Sequence, residues 1–199
     1  GSGTGILTTK IAQKFPSAMI DALDESQAMI TNCKHLSVSN IHLIRSDYHH
    51  FEPTKCYDYI VSNAAIHWMS VDECLHLVSQ QLSKSGECNL AIYGRKTAIE
   101  LEVLLPKIGK NVSLPSQQFL NHSEVTAIGQ KYFSDWRVLT EIKTIQFKSI
   151  SELLKTQKMT GVNRKRSIDG LWTPRSLQAL EDEMVNHYGQ VQLSYEIHF

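Results

Sequence analysis

Apolar residues in the first half of the chain recur at two alternating spacings. "ILTTKIAQKF" sets Ile6, Leu7, Ile11, Ala12 and Phe15 at helical intervals, and Pro16 closes the run. "SAMIDALD" is a short apolar stretch that predicts a buried strand ending at Asp24. "ESQAMITNCKHL" returns to helix, and "NIHLIRSD" predicts a second strand that also ends in an acid, Asp47. "YDYIVSN" predicts a third strand that runs out at Asn63. A helix over "VDECLHLVSQQL", a turn at "SKSG" and a fourth strand at "CNLAIYG" follow. Such alternation predicts an α/β chain with a parallel sheet covered by helices on both faces.

Beyond Gly94 the pattern loosens. "AIELEVLLPKIG", "HSEVTAIGQKYF", "SISELLKTQKM" and "TPRSLQALEDEMVNHYG" have helical spacing, the last two with a Ser or Thr near the start. "DWRVLTEIKTIQF" and the terminal "VQLSYEIHF" alternate and read as strands. Two late strands separated by helices predict an antiparallel pair added to the sheet edge. The helices between residues 95 and 190 are then free to form a lid over a substrate. With no repeat or flexible linker, residues 1–199 read as one domain.

Composition narrows the classes. The chain has 199 residues, enough for one full core, and a formal net charge of zero. That balance gives no global electrostatic case for nucleic acid or a membrane surface as partner. No apolar run approaches the roughly 20 residues needed to cross a bilayer. Cys33, Cys56, Cys74 and Cys88 are scattered with no Cys-x-x-Cys pair, which fits reduced thiols in a cytoplasmic protein. The nine histidines, including adjacent His49 and His50, show no metal-ligand spacing, so no metal is expected.

The opening "GSGTG" admits two readings: a flexible linker, or a glycine-rich turn that cradles a nucleotide. The turn requires a helix next and then a strand ending in an acid, and both are present. Asp24 lies about 20 residues on, the offset at which a carboxylate reaches a ribose hydroxyl. Ile6 stands where a dinucleotide fingerprint needs its third glycine, and no Gly-Lys-Ser/Thr follows for a P-loop. Glycine at every second place, with Asp24, Asp47 and "YDYIVSN", resembles motif I and its companions in S-adenosylmethionine-dependent methyltransferases.

The resemblance implies a Rossmann-like methyltransferase fold, a mostly parallel sheet with an antiparallel C-terminal strand and a helical lid insertion. It also implies S-adenosyl-L-methionine as cofactor. Gly1, Gly3 and Gly5 would line the methionine moiety, and Asp24 would hold the ribose, with Glu25 and Met29 beside ribose and adenine. Asp47 would accept from the adenine amino group with Tyr48 adjacent, and Asn63 and Ala64 would flank the sulfonium. The family's first strand precedes its glycines and lies at the sheet centre. Its absence here predicts a natural protein that extends upstream of Gly1.

The acceptor can be narrowed further. "VSNAAIHWMS" resembles a stretch shared by the malonyl-acyl-carrier-protein O-methyltransferases of biotin synthesis and by trans-aconitate methyltransferases. "LLKTQKMTGVNRKR", "LWTPRSLQALE" and "GQVQLSYEIHF" resemble the C-terminal third of the biotin enzymes in order and spacing. "FLNHSEV" resembles another of their elements, with His122 where proline often stands, and His67 replaces a common glutamine. The resemblance implies methylation of a malonyl thioester on acyl carrier protein or coenzyme A, and a monomer is expected. His67 and Trp68 would lie in a substrate-facing loop, Trp68 as core or pocket wall. Arg164 and Arg166 would meet the malonyl carboxylate or the acidic carrier, with Arg95 and Lys96 as further candidates. Rival readings are trans-aconitate methylation and a methyltransferase-like scaffold without activity, while a nicotinamide oxidoreductase is disfavoured by Ile6.

Overall fold

The computed structural model describes residues 1–33, 38–159 and 172–199, which form two compact units. The first comprises Gly1–Ile92, Thr126–Arg137 and Phe199. Helix α1 (Ile6–Lys14) follows the glycines and leads into β1 (Ile20–Asp24); α2 (Gln27–Cys33) then leads into β2 (Ile41–Arg45). β1 and β2 are parallel, in a register that runs from Ile20 beside Ile41 to Asp24 beside Arg45. Two neighbouring parallel strands end together, so whatever follows Asp24 and Arg45 emerges at one edge.

β3 (Tyr57–Asn63), α3 (Val71–Gln81) and β4 (Leu82–Tyr93) complete the strand–helix alternation. Ser70 caps α3 by accepting from the Glu73 amide, and Val71, Cys74, Leu75 and Val78 form its buried stripe. β4 begins earlier than the sequence suggests. Tyr57 pairs with Leu82, but Tyr59 pairs with Glu87, so "SKSG" forms an irregularity between two paired segments rather than a turn before the strand.

β1–β2 and β3–β4 are separate parallel pairs, with no strand between β1 and β3 among the described residues. Side chains bridge them instead. The Tyr57 hydroxyl donates to Asp21 Oδ2 at 2.8 Å, and Lys55 Nζ lies 3.9 Å from the same oxygen. Burial and this carboxylate together push the Tyr57 hydroxyl well above its ordinary pKa.

The second unit comprises Tyr93–Val125 and Val138–His198. β5 (Thr140–Phe147) and β6 (Val191–His198) pair antiparallel, from Thr140 opposite His198 to Phe147 opposite Val191. Helices α4 (Ile99–Leu104), α6 (Ile150–Met159) and α7 (Pro174–Tyr188) pack here. Thr173 and Ser176 form a reciprocal capping box at the start of α7. Leu104, Ile150, Leu153, Leu180, Met184 and Leu193 are fully buried in one core. The apolar residues of α4, α6 and α7 close against β6. The remaining helix, α5 (His122–Tyr132), starts in this unit and ends in the first.

β6 is buried along both faces. Its apolar residues meet the helices, while Ser194, Glu196 and His198 face a polar interior. Buried Glu100 accepts from the Ser194 amide at 3.0 Å and the Ser194 hydroxyl at 2.5 Å. Glu196 accepts from the Lys96 amide at 2.8 Å. The His198 Nε2 faces the Leu120 carbonyl, which can only accept, so Nε2 donates to it. Its Nδ1 lies 2.8 Å from the Thr140 hydroxyl, which lies 2.9 Å from His122 Nδ1.

Candidate cofactor site

The first five residues form a turn, not a trailing linker. Gly3 and Gly5 hold φ of +56° and +78°, the left-handed region that L side chains enter only with strain. The Gly5 amide donates to the Ser2 carbonyl at 3.0 Å, and the Ser2 amide donates to the Leu23 carbonyl of β1 at 2.8 Å. Gly5 is the N-cap of α1, where no side chain caps the helix and the first turn holds no acid. The open amides of a helix N-terminus favour negative charge.

Asp24 ties this turn to the strand. Its Oδ2 accepts from the Gly3 amide at 2.8 Å and its Oδ1 from the Ser26 amide at 2.9 Å, while the residue is buried. Each oxygen keeps a second lone pair for another donor. The Ser46 amide donates to the Asp24 carbonyl at 3.2 Å, which holds the end of β2 beside that of β1. Asp47, two residues past β2, thus emerges at the same edge as Asp24. The Asp47 carboxylate accepts from the His49 amide at 2.9 Å and starts a short helical turn over Tyr48–His50. Tyr48 is half-buried, and its hydroxyl is pushed up, mainly by burial and then by the charges of Cys74, Glu73 and Asp47.

Glu25 is exposed and Met29 half-buried in the first turn of α2, where the Met29 amide contacts Ser26 Oγ at 3.5 Å. Asn63 ends β3 with its side chain exposed, and Ala64 takes a left-handed φ of +55° while donating to the Ala91 carbonyl at 2.9 Å. A Cβ on Gly1 would lie 2.8 Å from Ala65 Cβ, so the glycine turn sits directly against the loop after β3. A Cβ on Gly3 would meet nothing within 4 Å. The turn therefore leaves open space beside the half-buried backbone of Gly3, a form that suits a ligand approaching the main chain.

His67 and Trp68 part company. His67 is only 8% exposed, and burial pushes its pKa down to about 4, so it is a neutral imidazole at physiological pH. Trp68 is 43% exposed and so is not a core residue; its ring lies 4.9 Å from that of His67. Arg164 and Arg166 lie outside the described residues. Arg95 is engaged within the chain, donating to the Gln117 carbonyl at 2.6 Å and lying 3.8 Å from Glu102. The Lys96 amide binds Glu196. Among the described residues no cluster suits a metal ion, and Cys33, Cys56, Cys74 and Cys88 are free thiols.

Two participants escaped sequence reasoning. Cys33 donates its thiol to the Gly3 carbonyl at 3.2 Å and supports the turn from α2. Ser26 supplies the second amide to Asp24. Only Ser26 had a local signal, as a small polar residue just before a helix.

A profile described as "Methyltransferase domain" matches residues 1–86, the part of the chain that carries this turn and both acids. Solved structures share the fold. The YcgJ protein of Bacillus subtilis has a TM-score of 0.62 at 16% identity, covering 100% of this chain and 88% of its own. A methyltransferase from Thiobacillus denitrificans in complex with S-adenosyl-L-homocysteine has a TM-score of 0.55 at 16% identity, covering 100% and 81%. The fold is that of the Rossmann-like methyltransferases that use S-adenosylmethionine.

Sequence relatives are more specific. Malonyl-[acyl-carrier protein] O-methyltransferase 1 of Ilyobacter polytropus is 31% identical over 193 residues, covering 95% of this chain and 71% of its own. A second such protein from that organism is 31% identical over 192 residues, covering 94% and 73%. One from Acetivibrio thermocellus is 25% identical over 217 residues, covering 100% and 76%. The chain belongs to the malonyl-[acyl-carrier protein] O-methyltransferase family of S-adenosylmethionine-dependent methyltransferases.

Proposed function

We propose that this protein methylates the free carboxylate of a malonyl thioester carried on acyl carrier protein. The carrying observation is the reach of the sequence similarity. The alignment with the first Ilyobacter protein extends over 95% of the chain, well past residues 1–86, which match the general methyltransferase profile. The product, a methyl ester, would be a neutral primer suited to chain extension toward biotin precursors, and the setting would be the cytoplasm.

Gly1, Gly3 and Gly5 would face the methionine moiety, with the open amides of α1 near its carboxylate. Asp24 would accept from the ribose hydroxyls with its remaining lone pairs, beside Glu25 and Met29. Asp47 would accept from the adenine amino group next to Tyr48, and Asn63 and Ala64 would flank the reacting end. When bound, S-adenosylmethionine supplies an activated methyl group. A carboxylate acceptor is already ionised at neutral pH, so no general base is needed. The chain's task reduces to aligning the acceptor oxygen and excluding water. Buried, neutral His67 fits that reading, since it adds no charge at the end of the loop. Arg164 and Arg166 would orient the carboxylate and meet the carrier, a bidentate guanidinium being well matched to a carboxylate.

The test compares acceptors. Malonyl-carrier protein, malonyl-coenzyme A and trans-aconitate are each incubated with the protein and S-adenosylmethionine, and methyl incorporation is followed by mass. Faster methylation of malonyl-carrier protein than of the other two is expected. Preferential methylation of trans-aconitate would overturn the substrate assignment, and no turnover of any acceptor would favour the inactive scaffold.

A further inference from the structure

Among the described residues β5 pairs along only one of its edges. Its partner β6 covers Thr140–Phe147, and β5 is the terminal strand of its sheet. Every residue from Thr140 to Gln146 is exposed. The large apolar side chains among them are unusually open: Leu139 just before the strand is 72% exposed, Ile142 55% and Ile145 49%. An edge of this kind presents a row of amide and carbonyl groups ready to pair with another strand.

The residues along it are arranged symmetrically about Ile142. Read outward in both directions, Glu141 mirrors Lys143, Thr140 mirrors Thr144, and Leu139 mirrors Ile145. Two copies of the strand meeting edge to edge and antiparallel, about a two-fold axis at Ile142, would set Glu141 opposite the other copy's Lys143 twice. The same register sets Leu139 opposite Ile145 twice, Thr140 opposite Thr144 twice, and Ile142 opposite itself. Opposite charges and paired aliphatic side chains directly across an antiparallel pair are each stabilising. Within one chain Glu141 and Lys143 already lie 3.4 Å apart on one face, so the four charges would form a closed ring.

The alternatives are disfavoured by the same residues. Side-chain alternation allows only slips by pairs of residues, the smallest of which move the axis to Glu141 or to Lys143. The first sets two glutamates opposite each other and the second two lysines. We propose that β5 is a homodimerisation edge, whose partner is β5 of a second copy, antiparallel and centred on Ile142. A lone charge on an edge strand discourages pairing of any kind. Glu141 and Lys143 together disfavour the two adjacent registers, and further slips within Thr140–Phe147 leave neither charge opposite an opposite one. The proposal replaces the monomer expected from the sequence and does not depend on the acceptor.

Sedimentation equilibrium tests it with four chains: wild type, Glu141→Lys, Lys143→Glu, and the double exchange Glu141→Lys/Lys143→Glu. The interface is small, so the wild-type mass should rise toward twice the monomer value only across roughly 10 µM to 1 mM. Each single change sets like charges opposite at two places and should lower the association constant at least about tenfold. The double exchange restores opposite charges in the same register and should restore association. Thermal melts confirm that all four fold. A wild type that stays monomeric throughout, single variants that associate as well as wild type, or a double exchange that fails to recover would each overturn the proposal.

Discussion

The Gly3 amide donates to Oδ2 of Asp24 across 2.8 Å, and this bond joins the glycine turn to the last residue of β1. Asp24 also holds the Ser26 amide, so one buried carboxylate fixes both sides of the proposed ribose site. Asp24→Ala leaves two amides without their acceptor, each at about 1–3 kcal/mol. Affinity for S-adenosylhomocysteine should fall at least about tenfold by calorimetric titration, with Asp24→Asn, which keeps one acceptor, less affected. Equal affinity in Asp24→Ala and wild type would remove this residue from the site.

Gly3→Ala separates conformation from contact. The left-handed φ of +56° makes alanine strained by about 1–2 kcal/mol. Nothing in the chain lies within 4 Å of the added methyl, so the melting temperature should drop only modestly. Cofactor affinity should drop by more than that strain explains, because the methyl enters the open side of the turn. A stability loss with intact affinity would mean the ligand approaches elsewhere.

His67 gives the fold a defined acid sensitivity. Its pKa is about 4 in the folded chain against an ordinary 6.5, so between those values the unfolded chain binds the proton more readily. Its contribution is complete above pH 6.5 and is lost as pH falls toward 4, at up to about 1.4 kcal/mol per pH unit. His67→Gln should show a smaller fall in melting temperature than wild type between about pH 7.5 and about pH 5. Parallel declines in the two proteins would place the acid sensitivity on other groups.

In the second unit Glu100 is the acceptor for both the amide and the hydroxyl of Ser194. Glu100→Ala leaves these donors buried and unpaired, so unfolding free energy should fall by roughly 2–4 kcal/mol in denaturant titration. Glu100→Gln keeps one acceptor oxygen and should lose less. A loss below about 0.5 kcal/mol for the alanine variant would show that water or another acceptor compensates.

Local pattern carried most of the fold. The 3.6 and 2.0 periodicities located all seven helices and six strands among the described residues, and the acids at positions 24 and 47 followed from strand ends. The polar side of β6 was hidden, because "VQLSYEIHF" alternates like a strand with one wet face. Its burial depends on Glu100, Thr97 and Lys96, which lie about a hundred residues away and satisfy Ser194 and Glu196. His67 was hidden for a related reason, since an imidazole in a loop reads as exposed until the packing around it is known. "SKSG" has turn composition and does leave the ladder, but pairing on both sides of it is a property of β3, not of those four residues.

The central claim is that a malonyl carboxylate receives the methyl group, and intact-mass analysis of the carrier protein tests it most directly. Malonyl-carrier protein is incubated with this protein and S-adenosylmethionine bearing a trideuterated methyl group, and the thioester is then cleaved with neutral hydroxylamine. The account predicts a gain of one trideuteromethyl per malonyl group on the carrier, and a released malonyl derivative that loses the label to mild alkali as trideuteromethanol, as a methyl ester requires. A carrier that gains no label, or a released malonyl derivative that keeps its label through the alkali, would contradict it.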